Sequence, residues 1–196
     1  AVYGILDDLV AAGKIRHYGV SVERIDEALE ATRHAGVKTV QIIFNMLRQR
    51  PAEEFFPAAH AANVGILARV PLASGLLTGK LSASSAFAGD DHRAFNRHGE
   101  AFDKGETFSG VPYELGLRAV EELRRLVPRN ASLAQLALRW ILMFDAVTCA
   151  IPGARTPDQA RANAAAADLR PVDAQTMSAV RETYDRLVRP HVHQSW

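Results

Sequence analysis

The sequence predicts an α/β fold in which parallel strands alternate with helices. Short, continuous apolar runs are separated by longer segments whose apolar residues recur every three or four positions, the spacing of an amphipathic helix. Strands separated by helices pair in parallel, and strands covered on both faces form such unbroken apolar runs. An open doubly wound sheet and part of a (β/α)8 barrel both fit. A whole barrel takes about 250 residues, so the four strands found here would form half of one.

The first half of this alternation is bounded by residues that end or begin helices. Helical spacing starts at the first residues, and Gly13 is expected to end that helix. A strand over 18–20 follows, and Ser21 is placed as the N-cap of a second helix that Gly36 ends. The second strand is predicted over 40–44. A chain that begins within or just before a helix suggests that a preceding part is missing.

The third and fourth units follow the same rules. A helix over about 53–62 ends at Asn63, and an apolar run over 65–70 gives the third strand. A long segment rich in Gly, Ser, Asp and His then runs to Pro112. We expect it to fold over a ligand, because structureless connections of this length are uncommon.

The last part of the chain predicts two helices, a strand and two more helices. The first helix passes through 115–126, and Ser132 is expected to cap the second. The fourth strand is predicted over 147–151. Pro157 fits the first position of the next helix, and the final helix follows Asp173.

The composition excludes several classes of partner. The chain has 196 residues, 48% hydrophobic, with 23 Lys and Arg against 22 Asp and Glu. The net charge is close to zero and produces no positive potential that would attract nucleic acid, so no nucleic-acid partner is expected. No apolar run approaches the roughly 18 residues of a membrane span, so no membrane partner is expected either.

Cysteine and histidine usage predicts neither disulfides nor a metal site. The single cysteine, Cys149, lies in an apolar run and has no partner for an internal disulfide. The seven histidines lack the spacing of metal ligands. A reducing, cytoplasmic setting fits this usage best.

Unusual residues fall at or near the carboxyl ends of the predicted strands, where α/β folds carry their sites. In the run 71–80, glycines allow close backbone approach, and a serine and a lysine could meet phosphate. A plain turn with an exposed lysine is the alternative. Arg155 stands just before the helix start at Pro157, where backbone N–H groups attract anions. An exposed arginine without a ligand is equally compatible.

Two polar residues interrupt apolar strands. Gln41 must bond either to the core or to a ligand, because an unpaired buried amide is costly. Arg69 places a charge in an apolar strand, and a buried charge needs a partner. That partner is either a ligand or a neighbouring carboxylate in a structural ion pair.

Four segments in sequence order resemble the aldo-keto reductase family. The segments 13–21, 41–45 and 68–80 resemble strands five to seven of that family with their loops, and 151–163 resembles strand eight with the helix behind it. The resemblance implies a (β/α)8 TIM-type barrel. This chain would supply about the last four β/α units and the C-terminal helices. Residues 1–196 would then form the C-terminal half of a single barrel domain, without its N-terminal half.

The resemblance also implies a function: NADPH-dependent reduction of an aldehyde or ketone to an alcohol. Ser21 and Gln41 would hold the nicotinamide carboxamide, and Arg69 would lie against the ring, where its cation should favour the neutral reduced form. Further residues would follow the pyrophosphate, the ribose phosphate and the adenosine. The implied NADP(H) contacts are Ser21, Gln41, Arg69, Pro71, Leu72, Ser74, Gly75, Leu77, Lys80, Gly153, Arg155, Gln159 and Asn163.

The resemblance assigns no catalytic residue to this chain, because the family's catalytic aspartate, tyrosine, lysine and histidine come from the first four strands. The chain alone is therefore expected to be inactive, and to self-associate or to pair with the N-terminal half of the same barrel. Val22 and Ala162 depart from the family pattern and weaken one carboxamide and one adenine contact. The alternatives are a non-catalytic NADPH-binding or regulatory protein of the same fold, and an unrelated barrel that takes a phosphorylated substrate.

Overall fold

Four strands pair in parallel in the order in which they occur along the chain. The structure is a computed structural model and describes residues 2–196. The strands are β1 (Tyr18–Ser21), β2 (Val37–Ile43), β3 (Gly65–Arg69) and β4 (Val147–Ala150). The helices are α1 (Val2–Ala11), α2 (Ile25–Thr32), α3 (Phe55–Ala61), α4 (His92–Phe95), α5 (Tyr113–Arg124), α6 (Leu133–Ile141), α7 (Pro157–Ala164), α8 (Ala174–Thr183) and α9 (Arg189–Val192).

The strand order separates the two folds that the sequence allowed. A doubly wound sheet reverses its strand order at a switch point, where its ligand binds. The described strands run β1-β2-β3-β4 without reversal. Because parallel crossovers are nearly always right-handed, consecutive neighbours place their connecting helices on one side of the sheet. This is the arrangement of consecutive strands in a (β/α)8 barrel.

The two faces of the sheet differ in burial. On one face, residues such as Val40 and Ile66 are fully buried, and helices α2 and α3 lie against β2 and β3. The other face carries a row of register partners, one from each strand: Ser21, Gln41, Leu67 and Cys149. Ser21 is exposed and the other three are half-buried. The helix-free face is therefore open, and polar side chains lie on it.

Most helix boundaries follow the signals in the sequence. Gly13 and Asn63 adopt left-handed conformations, with φ of 68° and 53°, just beyond α1 and α3. Ser132 caps α6 and accepts a hydrogen bond from Gln135, and Asp173 caps α8. Pro157 occupies the first turn of α7. These predictions are confirmed, because each depends on local backbone chemistry.

Two predicted boundaries around α2 are wrong. Ser21 is not an N-cap: it pairs with Gln41 as the last residue of β1. The helix starts later, where the Glu27 carboxylate accepts the backbone N–H groups of Glu23 and Arg24, both at 3.0 Å. The helix also ends before Gly36, which is instead needed for packing. A Cβ there would lie 2.1 Å from the Tyr18 hydroxyl.

The long segment between β3 and α5 is ordered by short turns. It contains α4 and short 3₁₀ segments at Ala73–Thr78, Lys104–Glu106 and Phe108–Gly110, the first of them kinked at Ser74 and Gly75. The last predicted helix is longer than α8, because a π-helical turn at Tyr184–Val188 carries it on into α9. Among residues 2–196, no helix combines the length and the apolar character that a membrane crossing requires.

Candidate functional site

Ser21 and Gln41 lie side by side on the open face of the sheet. They are register partners at the carboxyl end of β1 and next to the end of β2. Within residues 2–196 the Gln41 side chain makes no hydrogen bond, and it is half-buried. A glutamine satisfied by the core is therefore not what the structure shows. The hydroxyl and the amide are available together to a ligand on this face.

Arg69 follows on the same face, two residues beyond the register partner of Gln41. Its side chain is buried, with 7% of the residue exposed, and it forms ion pairs with Glu23 and Glu106. A second nitrogen contact reaches the Val22 carbonyl at 3.3 Å. The structural ion pair is thus present. A guanidinium compensated by two carboxylates does not support the expected preference for reduced nicotinamide.

Burial and its two charged neighbours, Arg69 and Glu106, strongly perturb Glu23. The pKa of Glu23 is raised from its usual 4.5 to about 7, mainly by burial and then by its hydrogen bond with Glu106, against the attraction of Arg69. The remaining Glu23 oxygen and the Arg69 Nε are buried without a hydrogen-bond partner in the described residues. Glu106 belongs to the long segment and Glu23 follows β1. Through Arg69, this cluster therefore joins the long segment to the loop after β1 at the end of β3.

Arg48 extends the same network. Its guanidinium donates to the Glu23 carbonyl at 2.8 Å and stacks 4.2 Å from the centre of the Trp196 ring. Burial lowers the pKa of Arg48 to about 10. One of its nitrogens has no hydrogen-bond partner in the part of the chain described. Arg48 and Glu23 both line a small cavity of about 10 Å³.

The loop after β3 has an unusual backbone. Val70, Ala73 and Ser74 have positive φ values of 50°, 47° and 53°, which non-glycine residues rarely adopt. Such conformations persist only where surrounding contacts hold them, and they concentrate at functional sites. Here the Asn45 amide donates to the Val70 carbonyl at 2.9 Å and to Ser109 at 2.8 Å. Asn45, fully buried, therefore holds both the strained loop and the long segment.

Ser74 makes a second connection between the loop after β3 and the long segment. Its hydroxyl donates to the Glu106 carbonyl at 3.0 Å and accepts the Phe108 N–H at 3.0 Å. The long segment is thus tied over the loop after β3. As long as the Ser74 hydroxyl donates to the Glu106 carbonyl, Ser74 has no side-chain donor for a phosphate.

Arg93 lies next to a glycine of this loop, and Lys80 stands at the end of the loop. Gly75 has φ of 99°, and a Cβ there would lie 3.5 Å from Arg93. Arg93 is held by Asp91 at 2.9 Å and lies over the Phe87 ring at 4.5 Å. Lys80 is exposed and has no carboxylate partner within residues 2–196. The sequence did not single out Arg93, because its charged run is typical of a solvated loop.

Not all residues expected along this loop face an open surface. Pro71 and Leu77 are buried, and Leu77 belongs to the core. The Leu77 N–H also donates to the Leu72 carbonyl at 3.2 Å. Leu72 itself is half-buried. The structure therefore brings Leu72, Gly75 and Lys80 to the surface of the loop, whereas Leu77 contributes to packing.

The residues expected after β4 form one cluster. The Arg155 N–H donates to the Gln159 side chain at 2.7 Å, and the Asn163 amide donates to the Gly153 carbonyl at 3.2 Å. A Cβ on Gly153 would meet nothing within 4 Å, so this surface is open. The Arg155 side chain is exposed and forms no ion pair in the described part of the chain.

The two loops lie next to each other because their strands are neighbours. The Ile151 N–H donates to the Ala68 carbonyl at 3.0 Å, which extends the pairing of β3 and β4 to their ends. A continuous path therefore runs along the carboxyl ends of the sheet, from Ser21 and Gln41 to Arg155. Across residues 2–196, no three His, Cys, Asp or Glu side chains form a group that could hold a metal ion.

Solved structures of known proteins share this architecture. The chain superposes on the glycerol dehydrogenase AKR11B4 of Gluconobacter oxydans with a TM-score of 0.72 and 26% identity, covering 97% of this chain and 54% of the other. For the aldo-keto reductase AKR11C1 of Bacillus halodurans the TM-score is 0.69 at 23% identity, with 96% and 57% covered. That second likeness concerns the fold alone.

Sequence comparison gives the same relationship. The aldo-keto reductase YhdN of Bacillus subtilis is 32% identical over 160 residues, which cover 81% of this chain and 46% of that protein. The uncharacterised oxidoreductase Mb2320 of Mycobacterium bovis is 31% identical, with 93% and 53% covered. The chain thus spans about half the length of the curated relatives it matches. A profile of the aldo/keto reductase family matches residues 1–185, and the chain therefore belongs to this family of oxidoreductases.

Proposed function

We propose that this chain supplies the cofactor-binding half of a carbonyl reductase, which reduces an aldehyde or ketone to an alcohol with NADPH. The observation that carries the proposal is the path of polar groups along the carboxyl ends of four consecutive strands, from Ser21 and Gln41 to Arg155. This edge of an α/β sheet is where cofactors bind. When bound, NADPH would supply the hydride, and the groups named below would hold it.

The nicotinamide end fits Ser21 and Gln41. Neighbouring strands are about 4.8 Å apart, so a hydroxyl and an amide in register can both reach one carboxamide group. The Gln41 amide has both donors and an acceptor to offer on the open face. Arg69 lies at the carboxyl end of β3, and its buried, unpaired Nε is an orphaned donor at this position.

The phosphate groups fit the two loops. Gly75 and Gly79 are left-handed, with φ of 99° and 69°, and allow the backbone of the β3 loop to approach a ligand closely. Lys80, exposed and without a carboxylate partner in residues 2–196, supplies positive charge in the same loop, whereas Asp91 compensates the charge of Arg93. Arg155 and the N-terminus of α7 face the open surface after β4 and suit a further phosphate.

The adenosine end fits the remaining polar atoms of α7. Gln159 uses its oxygen for the Arg155 N–H, and Asn163 uses its nitrogen for the Gly153 carbonyl. The Gln159 nitrogen and the Asn163 oxygen have no partner among residues 2–196, so a donor and an acceptor remain for a base.

We also propose that residues 1–196 form the C-terminal half of one barrel domain. The sheet has an unpaired edge at β1 and another at β4 in the described residues. Helix α1 carries apolar side chains that are largely exposed, with 67% of Val2 and 61% of Ile5 accessible. Such a surface fits burial against another polypeptide, and the N-terminal half of the barrel is the partner we propose. The single Cys149 and the enzyme class fit a cytoplasmic protein.

The Arg155→Ala substitution tests the cofactor assignment in the assembled barrel. A hydrogen bond from arginine to a phosphate contributes about 1.5–3 kcal/mol, so the preference for NADPH over NADH should narrow roughly ten- to a hundredfold. NADH affinity should stay the same, because NADH lacks the 2′-phosphate. Dissociation constants of both cofactors, measured by fluorescence titration, give the ratio.

The matched control is Arg161→Ala. Arg161 lies on the same helix, is exposed and pairs only with Asp158 at 2.7 Å in the described chain. It should leave both affinities unchanged. Equal weakening of NADPH and NADH by Arg155→Ala, or no weakening, would contradict the assignment of the 2′-phosphate to this residue.

A further inference from the structure

A second cleft, of about 520 Å³, lies away from the proposed cofactor path. It is bounded by the end of α5, one side of α6 and the segment that leads into α8. None of the residues proposed to bind NADP(H) lines it. Its volume falls within the range of about 300–1,000 Å³ that is typical of small-molecule sites.

The walls of the cleft combine an apolar surface with positive charge. Leu126, Leu136, Leu169 and Val172 supply the apolar part. Arg139 and Arg170 also line it, and neither forms an ion pair within residues 2–196. The lining contains no glycine and no aromatic side chain.

Arg139 is fixed in place by backbone carbonyls. Its Nε donates to the Arg170 carbonyl at 3.4 Å and its Nη1 to the Ala167 carbonyl at 3.2 Å. The Nη2 group has no hydrogen-bond partner among the described residues and remains available to an acceptor. A guanidinium held in this way loses little further entropy when it binds a planar anion.

The acidic residue of the cleft does not compensate this charge locally. Asp173 accepts the Thr176 N–H at 2.7 Å as the cap of α8, and these hydrogen bonds lower the pKa of its carboxyl.

We propose that this cleft binds a small carboxylate with an apolar body, the carboxylate on Arg139 and Arg170 and the body on the leucines. Charge complementarity and the volume of the cleft select this class of ligand. The site is independent of the proposed carbonyl reduction, and its test needs no turnover.

The probes are 2-naphthoate and the uncharged 2-naphthamide, which have the same ring system. Titration calorimetry on residues 1–196 should detect 2-naphthoate binding, and the amide should bind about tenfold or more weakly. Equal binding of the two probes, or binding of neither, would overturn the proposal.

Variants place the site. Arg139→Gln should weaken 2-naphthoate binding about ten- to a hundredfold, whereas Arg129→Gln should leave it unchanged. Arg129 lies in the connection between α5 and α6, between the lining residues Pro128 and Asn130, but does not itself line the cleft. Because Arg139 also holds two carbonyls, Thr176→Phe is a second test that keeps those bonds and fills the cleft from α8. It should abolish binding. Unchanged affinity in Thr176→Phe would sink the proposal even if Arg139→Gln failed to fold.

Discussion

Residues 1–196 expressed alone are expected to oxidise no NADPH in the presence of a reactive aldehyde. Hydride transfer to a carbonyl needs a proton donor for the developing alkoxide, which contributes typically about 10²–10⁴-fold, and a preorganised oxyanion site that usually adds more. The cofactor path described above contains side chains that bind and orient. The resemblance assigns the proton donor and its partners to the first four strands, which the described sheet does not include.

Association is expected to accompany this inactivity. Strand β1 has no neighbour on one side and β4 none on the other within residues 2–196, and both edges can pair with another chain. The exposed side chains of α1 add apolar surface that also favours association with another chain. Size-exclusion chromatography should therefore show oligomers of the chain alone, and a defined species once the proposed N-terminal half is co-expressed.

The experiment follows NADPH absorbance with the chain alone, the N-terminal half alone and the two together. Turnover only in the combined sample is the expected result. A Gln41→Ala version of the combined sample should bind NADPH more weakly, which shows that the activity uses this chain's site. Turnover by residues 1–196 alone would refute the proposal that catalysis needs the other half.

The sequence was informative where a residue acts through its own strand or helix. Gln41 and Arg69 could be singled out because each interrupts an apolar run, and the cap residues Ser132 and Asp173 act on the N–H groups next to them. The cluster after β4 is local as well, because the Arg155 N–H bonds to Gln159 and the Asn163 amide bonds to Gly153 within one turn and helix.

Contacts between distant segments could not be predicted in this way. Glu106 reaches Arg69 across 37 positions, and Asn45 reaches Ser109 across 64. No periodicity or spacing marks such pairs, because they depend on how the long segment folds back over the sheet. Ser21 shows that a local signal can also be overridden by a distant contact. Its local signal as an N-cap was real, but the pairing of β1 with β2 outweighed it.

The Arg69→Met substitution is expected to destabilise the chain strongly, and more so at high pH. It removes the cation between Glu23 and Glu106, whose side chains are only 30% and 28% exposed. Breaking a buried ion pair by removing one partner costs about 3–5 kcal/mol of unfolding free energy. We expect the lower end of this range, because solvent still reaches part of both carboxylates.

The pH dependence has a definite sign. In the parent chain the pKa of Glu23 is already raised from 4.5 to about 7. A carboxyl whose pKa is raised by folding binds more protons in the folded state, so its contribution is fully present below the unfolded pKa and is lost as pH rises through the folded value. Without Arg69 the pKa of Glu23 should rise further, because the guanidinium no longer attracts its charge and Glu106 repels it. The loss caused by Arg69→Met should therefore be large at about pH 8 and small at about pH 5.

Urea unfolding followed by circular dichroism at both pH values measures this difference. Arg161→Met is the matched control, because its ion pair with Asp158 is 74% and 91% exposed and should contribute less than about 1 kcal/mol at either pH. The triple variant Arg69→Met, Glu23→Gln, Glu106→Gln should recover most of the stability and lose the pH dependence, since no unpaired charge remains.

Hydrogen exchange should show that Arg69→Met first releases the Lys104–Glu106 turn, which holds Glu106 over the end of β3. An equal loss at both pH values would mean that Arg69 acts through packing, and that the two carboxylates do not share its charge.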